Sequence, residues 1–244
     1  MMHLEMKRRP SALWYVDDSE LPFFIGTAAK NCNTANYLES KEKIRRNEKH
    51  VLRFETGIFP DKIYFLDQKH EDKVFEAREP YAVESLFYAE GDALITDISN
   101  HCLVIRTADC VPLFFADKKN HAVAAIHSGW RSTAKNIAEK TFLEMNAKYG
   151  TEPSDITAYI LPCIGADYYE VKQDVASIFP EHIIEKENKL YFDIRAAVVS
   201  QLRKIGIGRN SIFAEFRDTV GFNESFFSHR KGDLGRNLNF IYMK

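Results

Sequence analysis

The chain has 244 residues, 45% hydrophobic, 13% aromatic and 28% charged, and its 33 Lys and Arg against 35 Asp and Glu leave a net charge of −2. At about 150 residues per domain this is one large domain or two small ones, with ample length for a self-sufficient core. The composition excludes disorder, collagen and coiled coil, and near-neutrality argues against a nucleic-acid footprint spread over the surface.

No apolar run approaches the roughly 18 residues of a membrane span, and no hydrophobic stretch directly follows Lys7-Arg8-Arg9. The expectation is a cytoplasmic protein with neither membrane nor nucleic-acid partners. Four cysteines, Cys32, Cys102, Cys110 and Cys163, are too sparse for a disulfide framework. Each reads as a small buried hydrophobe or as a reactive or ligating thiol.

In chain order, residues 40–54 are highly charged, with Ile44, Val51 and Leu52 at i, i+7 and i+8, which predicts an amphipathic helix. Lys62–Leu66 reads as a strand after the Pro60-Asp61 turn signal, and Glu79–Glu90 is ambiguous. Ala93–Thr96 and Cys102–Thr107 read as strands joined by a hairpin turn at Asp97–Asn100. Val111–Ala116 and Ala122–His127 are strands around a polar turn at Asp117–Asn120. From Ser132 to about Tyr149 the period switches to helical, with Gly150 as C-cap and Pro153 as stop. A strand at Ala158–Leu161, helices at Val171–Phe179 and Asp193–Ile205, and strands at Ile212–Phe216 and Asn239–Met243 complete the reading. Grouped strands with intervening helices are an α+β pattern, with no linker or repeat to mark a domain boundary.

Three residues stand where a strand gives way to a turn: His70, Cys110 and His127. Functional groups cluster at such strand ends, because the sheet aims them while the loops open the site. Two His and one Cys suit zinc, and three protein ligands leave a tetrahedral position for water or substrate. The separations, 40 and then 17 residues, carry no CxxC-type signal. On residue type alone, packing is the simpler reading of each. The turn after His127 leads through Gly129 and Arg131 into a helix, a pattern able to hold phosphate, or an ordinary strand-to-helix turn.

Several stretches together are specific. They are Gly91-Asp92-Ala93-Leu94-Ile95-Thr96-Asp97, Thr107-Ala108-Asp109-Cys110-Val111-Pro112-Leu113 and Ala124-Ala125-Ile126-His127-Ser128-Gly129-Trp130-Arg131. Further on come Pro162-Cys163-Ile164-Gly165, Tyr169-Glu170-Val171, Phe192-Asp193-Ile194-Arg195-Ala196, Phe226-Phe227-Ser228-His229-Arg230 and Gly235-Arg236. In this order, from about residue 20 to the end, the chain resembles the YfiH/laccase-domain family, also called peptidoglycan editing factors or multicopper polyphenol oxidases.

The resemblance implies a single α+β domain over residues 1–244, a sandwich of mixed β-sheets flanked by helices. It implies a metal group of His70, Cys110 and His127, with Zn2+ as the ion and copper as the alternative. It implies phosphorolysis of adenosine, inosine and 5′-methylthioadenosine, with adenosine deamination beside it. Arg131 and Arg230 are then the candidate phosphate or substrate binders, and Asp109 and Glu170 the candidate proton carriers beside Cys110. Asp109 reads equally as a turn residue capping backbone N–H groups.

Rival readings are a copper polyphenol oxidase, a metal-binding protein that edits peptidoglycan precursors, and a metal-free hydrolase using Cys110 and His127 directly. The chain departs from the family at Asn47-Glu48, where relatives carry Asn-Arg, at Lys69 and Glu71 around His70, and at Asp218-Thr219 in place of Cys-Thr. Cys102, Cys163, Phe226 and Phe227 read as packing residues. His3, His50, His101, His121 and His182 read as surface residues, and His229 as a residue that could face the site.

Overall fold

The computed structural model describes residues 1–9, 13–16, 21–30, 41–56, 62–78 and 89–244. The first part forms β1 (Met2–His3), β2 (Met6–Arg8), β3 (Leu13–Val16), β4 (Phe23–Ala28), α1 (Lys41–Thr56), β5 (Lys62–Asp67) and β6 (Val74–Glu76). The middle forms β7 (Ala89–Glu90), β8 (Ala93–Thr96), β9 (His101–Thr107), β10 (Val111–Asp117), β11 (Ala122–Ser128), α2 (Trp130–Ala134), α3 (Ile137–Tyr149) and β12 (Ile156–Ile160). The rest forms β13 (Glu170–Val171), α4 (Gln173–Ala176), β14 (Ile183–Lys186), β15 (Lys189–Phe192), α5 (Ile194–Ile205), β16 (Ile212–Ala214) and β17 (Asn237–Met243).

Two seven-stranded mixed sheets, β1-β16-β12-β10-β11-β8-β6 and β2-β3-β4-β17-β9-β5-β7, carry the fold, with a small sheet β13-β15-β14 beside them. The side-chain alternation of each strand assigns its two faces. On β9, Leu103 and Ile105 meet Phe114 and Ala116 of β10 in the core between the sheets. Cys102 and Val104 point the other way, onto Val51 and Leu52 of α1. On β10, Val111, Leu113 and Phe115 turn outward onto Ile137 and Met145 of α3 and Val198 and Leu202 of α5. The order is helix, sheet, sheet, helix: the α+β sandwich expected. Burial on both faces explains why these strands read as continuous apolar runs.

Several elements differ from expectation. Asp97–Asn100 is not a hairpin turn, because β8 pairs within the first sheet and β9 within the second. The connection steps between the sheets. Asn100 sits at a left-handed φ of 62° and donates its N–H to the Met243 carbonyl at 2.9 Å. The turn at Asp117–Asn120 is a true hairpin, and the Asp117 carboxylate accepts the N–H of Lys119 and Asn120, both at 2.9 Å.

The single helix expected over Ser132–Tyr149 is two, because Asn136 adopts φ 58° and interrupts the ladder. Asn tolerates this conformation better than most residues. Gly150 caps α3 as read, at φ 71°. Val171–Phe179 shortens to the four residues of α4, and β14–β15 is a hairpin the sequence did not announce. Within Glu79–Glu90, only Ala89–Glu90 falls on described residues, as β7.

Among the described residues Cys102, Cys110 and Cys163 are free thiols; Cys32 lies outside them. No helix of the described residues is long and apolar enough to cross a membrane.

Candidate active site

The site forms where the ends of both sheets meet. Cys110 enters β10, and His127 lies near the end of β11, where Pro112 of β10 is its cross-strand partner. His70 comes from the second sheet, in the loop after β5, at a left-handed φ of 60°. One ligand atom from each of His70, Cys110 and His127 lies within 4.8 Å of the others, a group that could hold a metal ion. Cys110 Sγ and His70 Nε2 are 3.8 Å apart, and the two imidazoles meet nearly edge to face.

Asp92 organises this group. It precedes β8, beside His127, and is fully buried. Its Oδ1 accepts His127 Nδ1–H at 2.7 Å and the His70 N–H at 3.0 Å. Its Oδ2 accepts the N–H of Glu71 at 2.7 Å and of Lys69 at 3.2 Å. The His127 N–H also reaches the Asp92 carbonyl at 2.7 Å. One carboxylate therefore fixes both the His70 loop and the tautomer of His127, leaving His127 Nε2 for an ion. Burial alone would raise the Asp92 carboxyl, but His127 and the N–H groups of Glu71 and Lys69 outweigh it and hold it below its ordinary range.

Lys69 and Glu71 have a structural use as well. Lys69 pairs with Asp67 at 2.8 Å, Glu71 with Lys135, and Asp72 with Lys140. The Lys69 pair stays within the loop, whereas the other two tie the loop to Lys135, just after α2, and to Lys140 of α3.

The electrostatics suit a ligating thiolate. Burial would push the Cys110 thiol up, yet the charge of His127 and the hydrogen bonds from His127 and His70 outweigh it and lower it to about 6. Burial would push His127 down, yet Cys110 and Asp92 raise it. The backbone cradle is close: a Cβ added at Gly129 would stand 2.7 Å from His70 Cδ2 and 3.1 Å from Cys110 Sγ. Two imidazoles and a thiolate are the donor set of a three-ligand site for a borderline-soft ion.

A cavity of about 650 Å³ opens over the group. It is lined by His70, Cys110, His127, Asp109, Arg131 and Arg230, so six of the seven predicted site residues share one space. His229 lines it too. The seventh, Glu170, does not: its side chain is exposed and paired with Lys189 at 2.9 Å, and only its carbonyl reaches the site, accepting from Arg230 Nη2 at 3.1 Å.

Asp109 holds φ 88° and spends both carboxylate oxygens on neighbours: Oδ1 accepts the Thr219 hydroxyl at 2.6 Å and Oδ2 the Arg230 N–H at 2.7 Å. The guanidinium of Arg131 lies 4.2 Å from the Trp130 ring, and that of Arg230 lies 5.5 Å from Tyr169. Trp130 and Tyr169 are both walls of the cavity.

Sequence reasoning passed over Asp92, Arg106, Gln68, Trp130, Tyr169 and Thr219. Asp92 sits inside a quoted motif, but the motif does not say that its side chain turns back onto a histidine. Cys163 is buried beside Arg195 at 3.5 Å, and Phe226 packs on Trp14, both outside the cavity wall. Phe227 packs on Lys30 and lies hard against Gly235. His101 is not a surface residue: it is 3% exposed and packs on Tyr64, since strand alternation at the start of β9 turns it inward. A second cavity of about 440 Å³ lies between α5 and the Phe179–His182 segment and holds none of the predicted site residues.

The model of the family described as multi-copper polyphenol oxidoreductase laccase matches residues 25–244. The chain belongs to this family. A purine nucleoside phosphorylase of Bacteroides thetaiotaomicron is 31% identical over 236 residues, covering 87% of each chain. One of Aquifex aeolicus is 35% identical over 70% of this chain and 81% of its own. The purine nucleoside phosphorylase YfiH of Escherichia coli is 28% identical over 84% and 83%. The crystal structure of the hypothetical protein YfiH from Bacillus licheniformis superposes with a TM-score of 0.86 at 25% identity, over 98% of this chain and 99% of that one. YlmD from Geobacillus stearothermophilus shares the fold, at a TM-score of 0.87 and 22% identity. The family and the α+β sandwich read from the motifs are thus both found. The relatives' names point to an enzyme acting on a small molecule.

Proposed function

We propose that this protein is a zinc-dependent purine nucleoside phosphorylase acting on adenosine, inosine and 5′-methylthioadenosine. The observation that carries this reading is the sharing of one cavity by the His70-Cys110-His127 group and by Arg131 and Arg230, neither of whose guanidinium groups forms a salt bridge with a carboxylate among the described residues. The relatives named purine nucleoside phosphorylase support it.

In phosphorolysis a phosphate oxygen bonds to C1′ of the ribose. The bond from C1′ to the purine nitrogen breaks, and its electron pair leaves with the base, which takes up a proton. His70, Cys110 and His127 would hold zinc, which when bound would supply Lewis-acid chemistry to the cavity. Arg131 and Arg230 bind and orient the phosphate, as guanidinium forks suit that anion. Trp130 and Tyr169 give the purine flat apolar walls. Asp109 acts as a positioning residue, holding the Arg230 main chain and Thr219 at the cavity edge.

The decisive assay is release of free base from the three nucleosides by zinc-loaded protein, with and without inorganic phosphate. Phosphate-dependent release is expected; no turnover under either condition would sink the proposal. Hydrolytic deamination of adenosine is the second reading, favoured by a three-ligand group that leaves one position for a small molecule. Inosine formed without phosphate is its signature. Multicopper oxidation fits the donor inventory poorly. The other six histidines, His3, His50, His101, His121, His182 and His229, join no second group of three among the described residues.

A further inference from the structure

Glu48 of α1 is fully buried, and its carboxylate takes Arg106 in a two-pronged pair, Oε1 from Nε and Oε2 from Nη2, both at 2.6 Å. Arg106 lies near the end of β9, on the same face as Cys102 and Val104, which is the face that α1 covers. Its Nη1 donates to the Leu66 carbonyl at 3.1 Å, and the guanidinium lies 4.9 Å from the Phe65 ring. The main chain is fixed as well. The Arg106 N–H donates to Gln68 Oε1 and Gln68 Nε2 donates to the Arg106 carbonyl, both at 2.8 Å.

Arg106, Gln68 and Leu66 line the cavity over the His-Cys-His group, whereas Glu48 stands behind that wall. Four arginines line the cavity, and they differ in how their charge is used. Arg236 turns Nη1 back onto main-chain carbonyls, that of Gly235 at 2.8 Å. Arg131 and Arg230 present charge to its contents. Arg106 presents a guanidinium edge whose charge a buried carboxylate cancels from behind, and whose geometry that carboxylate locks.

We propose that Glu48 is a specificity-determining residue that keeps the cavity selective for neutral nucleosides over nucleoside 5′-monophosphates. The phosphate is held by Arg131 and Arg230, on the open part of the lining. A second anion brought to the Arg106 wall meets a neutral ion pair and, just beyond it, the negative charge of Glu48. Discrimination by leaving an unwanted charge uncompensated is a general device of specificity. The inference rests on the purine nucleoside reading of the same cavity.

The test measures dissociation constants for adenosine, adenosine 5′-monophosphate and inorganic phosphate by titration calorimetry. The proteins are the zinc-loaded wild type, Glu48→Gln, and the double variant Glu48→Gln/Arg106→Gln. The wild type is expected to bind adenosine at least about 10-fold more tightly than the monophosphate. Glu48→Gln uncovers the Arg106 charge and should tighten monophosphate binding about 10-fold while adenosine moves less than about 3-fold. The double variant replaces the ion pair with two neutral amides and should return the monophosphate-to-adenosine ratio to that of the wild type. If the single variant, with its unpaired buried cation, fails to fold, Glu48→Asp, which loosens the pair while keeping the charge buried, takes its place. It should shift the monophosphate-to-adenosine ratio in the same direction; an unchanged ratio overturns the proposal.

A Glu48→Gln protein that shifts both ligands equally or neither overturns the proposal, as does a double variant that loses affinity for inorganic phosphate. The last result would make Arg106 itself the phosphate binder. A wild type that binds neither adenosine nor its monophosphate overturns the nucleoside reading and this inference together. A wild type that binds adenosine, with monophosphate binding indifferent to Glu48, overturns this inference alone.

Discussion

Asp92 accepts the Nδ1 proton of His127 at 2.7 Å, and the same oxygen accepts the main-chain N–H of His70 at 3.0 Å. A carboxylate behind a ligating histidine fixes ring and tautomer, and its loss typically lowers metal affinity 10- to 100-fold. Asp92→Asn should fold and bind zinc about 10- to 100-fold more weakly, read by competition with a chromophoric chelator. Asp92→Ala should also lose stability, because the N–H groups of Lys69, His70 and Glu71 would lose their acceptor, at about 1–3 kcal/mol for each one left buried and unpaired. Unchanged zinc affinity in Asp92→Asn would remove Asp92 from the metal group.

Gly129 tests the same centre from its other side. Its φ of −78° and ψ of 169° are open to any residue, so a substitution carries no backbone strain. Only the added Cβ matters, and it would stand 2.7 Å from His70 and 3.1 Å from the Cys110 sulfur. Gly129→Ala must therefore push His70 or Cys110 aside. Overpacking of this kind costs about 1–3 kcal/mol. The expected protein is folded, with weakened zinc binding and a lower melting temperature in the presence of zinc. Full zinc affinity in this variant would show that the ligands do not sit against the Gly129 backbone.

The strand ends were legible because buried strands and the turns after them leave a plain hydropathy record: Val111–Ala116 and Ala122–His127 need only their own residues to be read. The family motifs added the grouping of His70, Cys110 and His127, which no local spacing carries. What stayed hidden depends on pairing across the sandwich. Whether Asp97–Asn100 makes a hairpin or a step between sheets is decided by β11 and β17, remote in sequence. The Glu48–Arg106 pair spans 58 residues and joins a helix face to a strand face. Its two halves are unremarkable until α1 lies on the second sheet. His101 likewise reads as polar and exposed until strand alternation turns it inward.

The environment of Cys110 predicts its reactivity in metal-free protein. His127 and His70 hold the thiol down to about 6, against the push of burial. The thiolate is the form that alkylating agents attack, so iodoacetamide should modify Cys110 at a rate that rises with pH through about 6. Cys102 and Cys163, both raised by burial, should stay slow at neutral pH. Because the folded value is depressed, His127→Phe should move the Cys110 midpoint upward and slow the reaction at pH 7. Saturating zinc should protect Cys110. Peptide mapping after a timed pulse reads all three thiols at once, and equal labelling of Cys110 and Cys102 at pH 7 would contradict the assigned environment.

Asp109 separates positioning from proton transfer. Its carboxylate joins Thr219 to the Arg230 main chain while its own backbone sits at φ 88°. Asparagine tolerates that conformation and glycine adopts it freely, so Asp109→Asn and Asp109→Gly both spare the backbone. In Asp109→Asn the amide can donate to the Thr219 hydroxyl oxygen while its carbonyl still accepts from Arg230 N–H. If Asp109 only holds the Arg230 loop, this variant keeps most of the phosphorolytic kcat. Asp109→Gly, which removes both bonds, then raises the KM for phosphate about 10-fold or more, the effect of losing about 1.5–3 kcal/mol of charge-assisted hydrogen bonding. Thr219→Val should fall between the two, and zinc content should be unchanged in all three. If Asp109 carries a proton in the reaction, the ranking reverses. Asp109→Asn then loses kcat as fully as Asp109→Gly, and Thr219→Val leaves phosphate KM where it was. Steady-state kinetics over phosphate concentration, with zinc measured in each preparation, decides between the two roles.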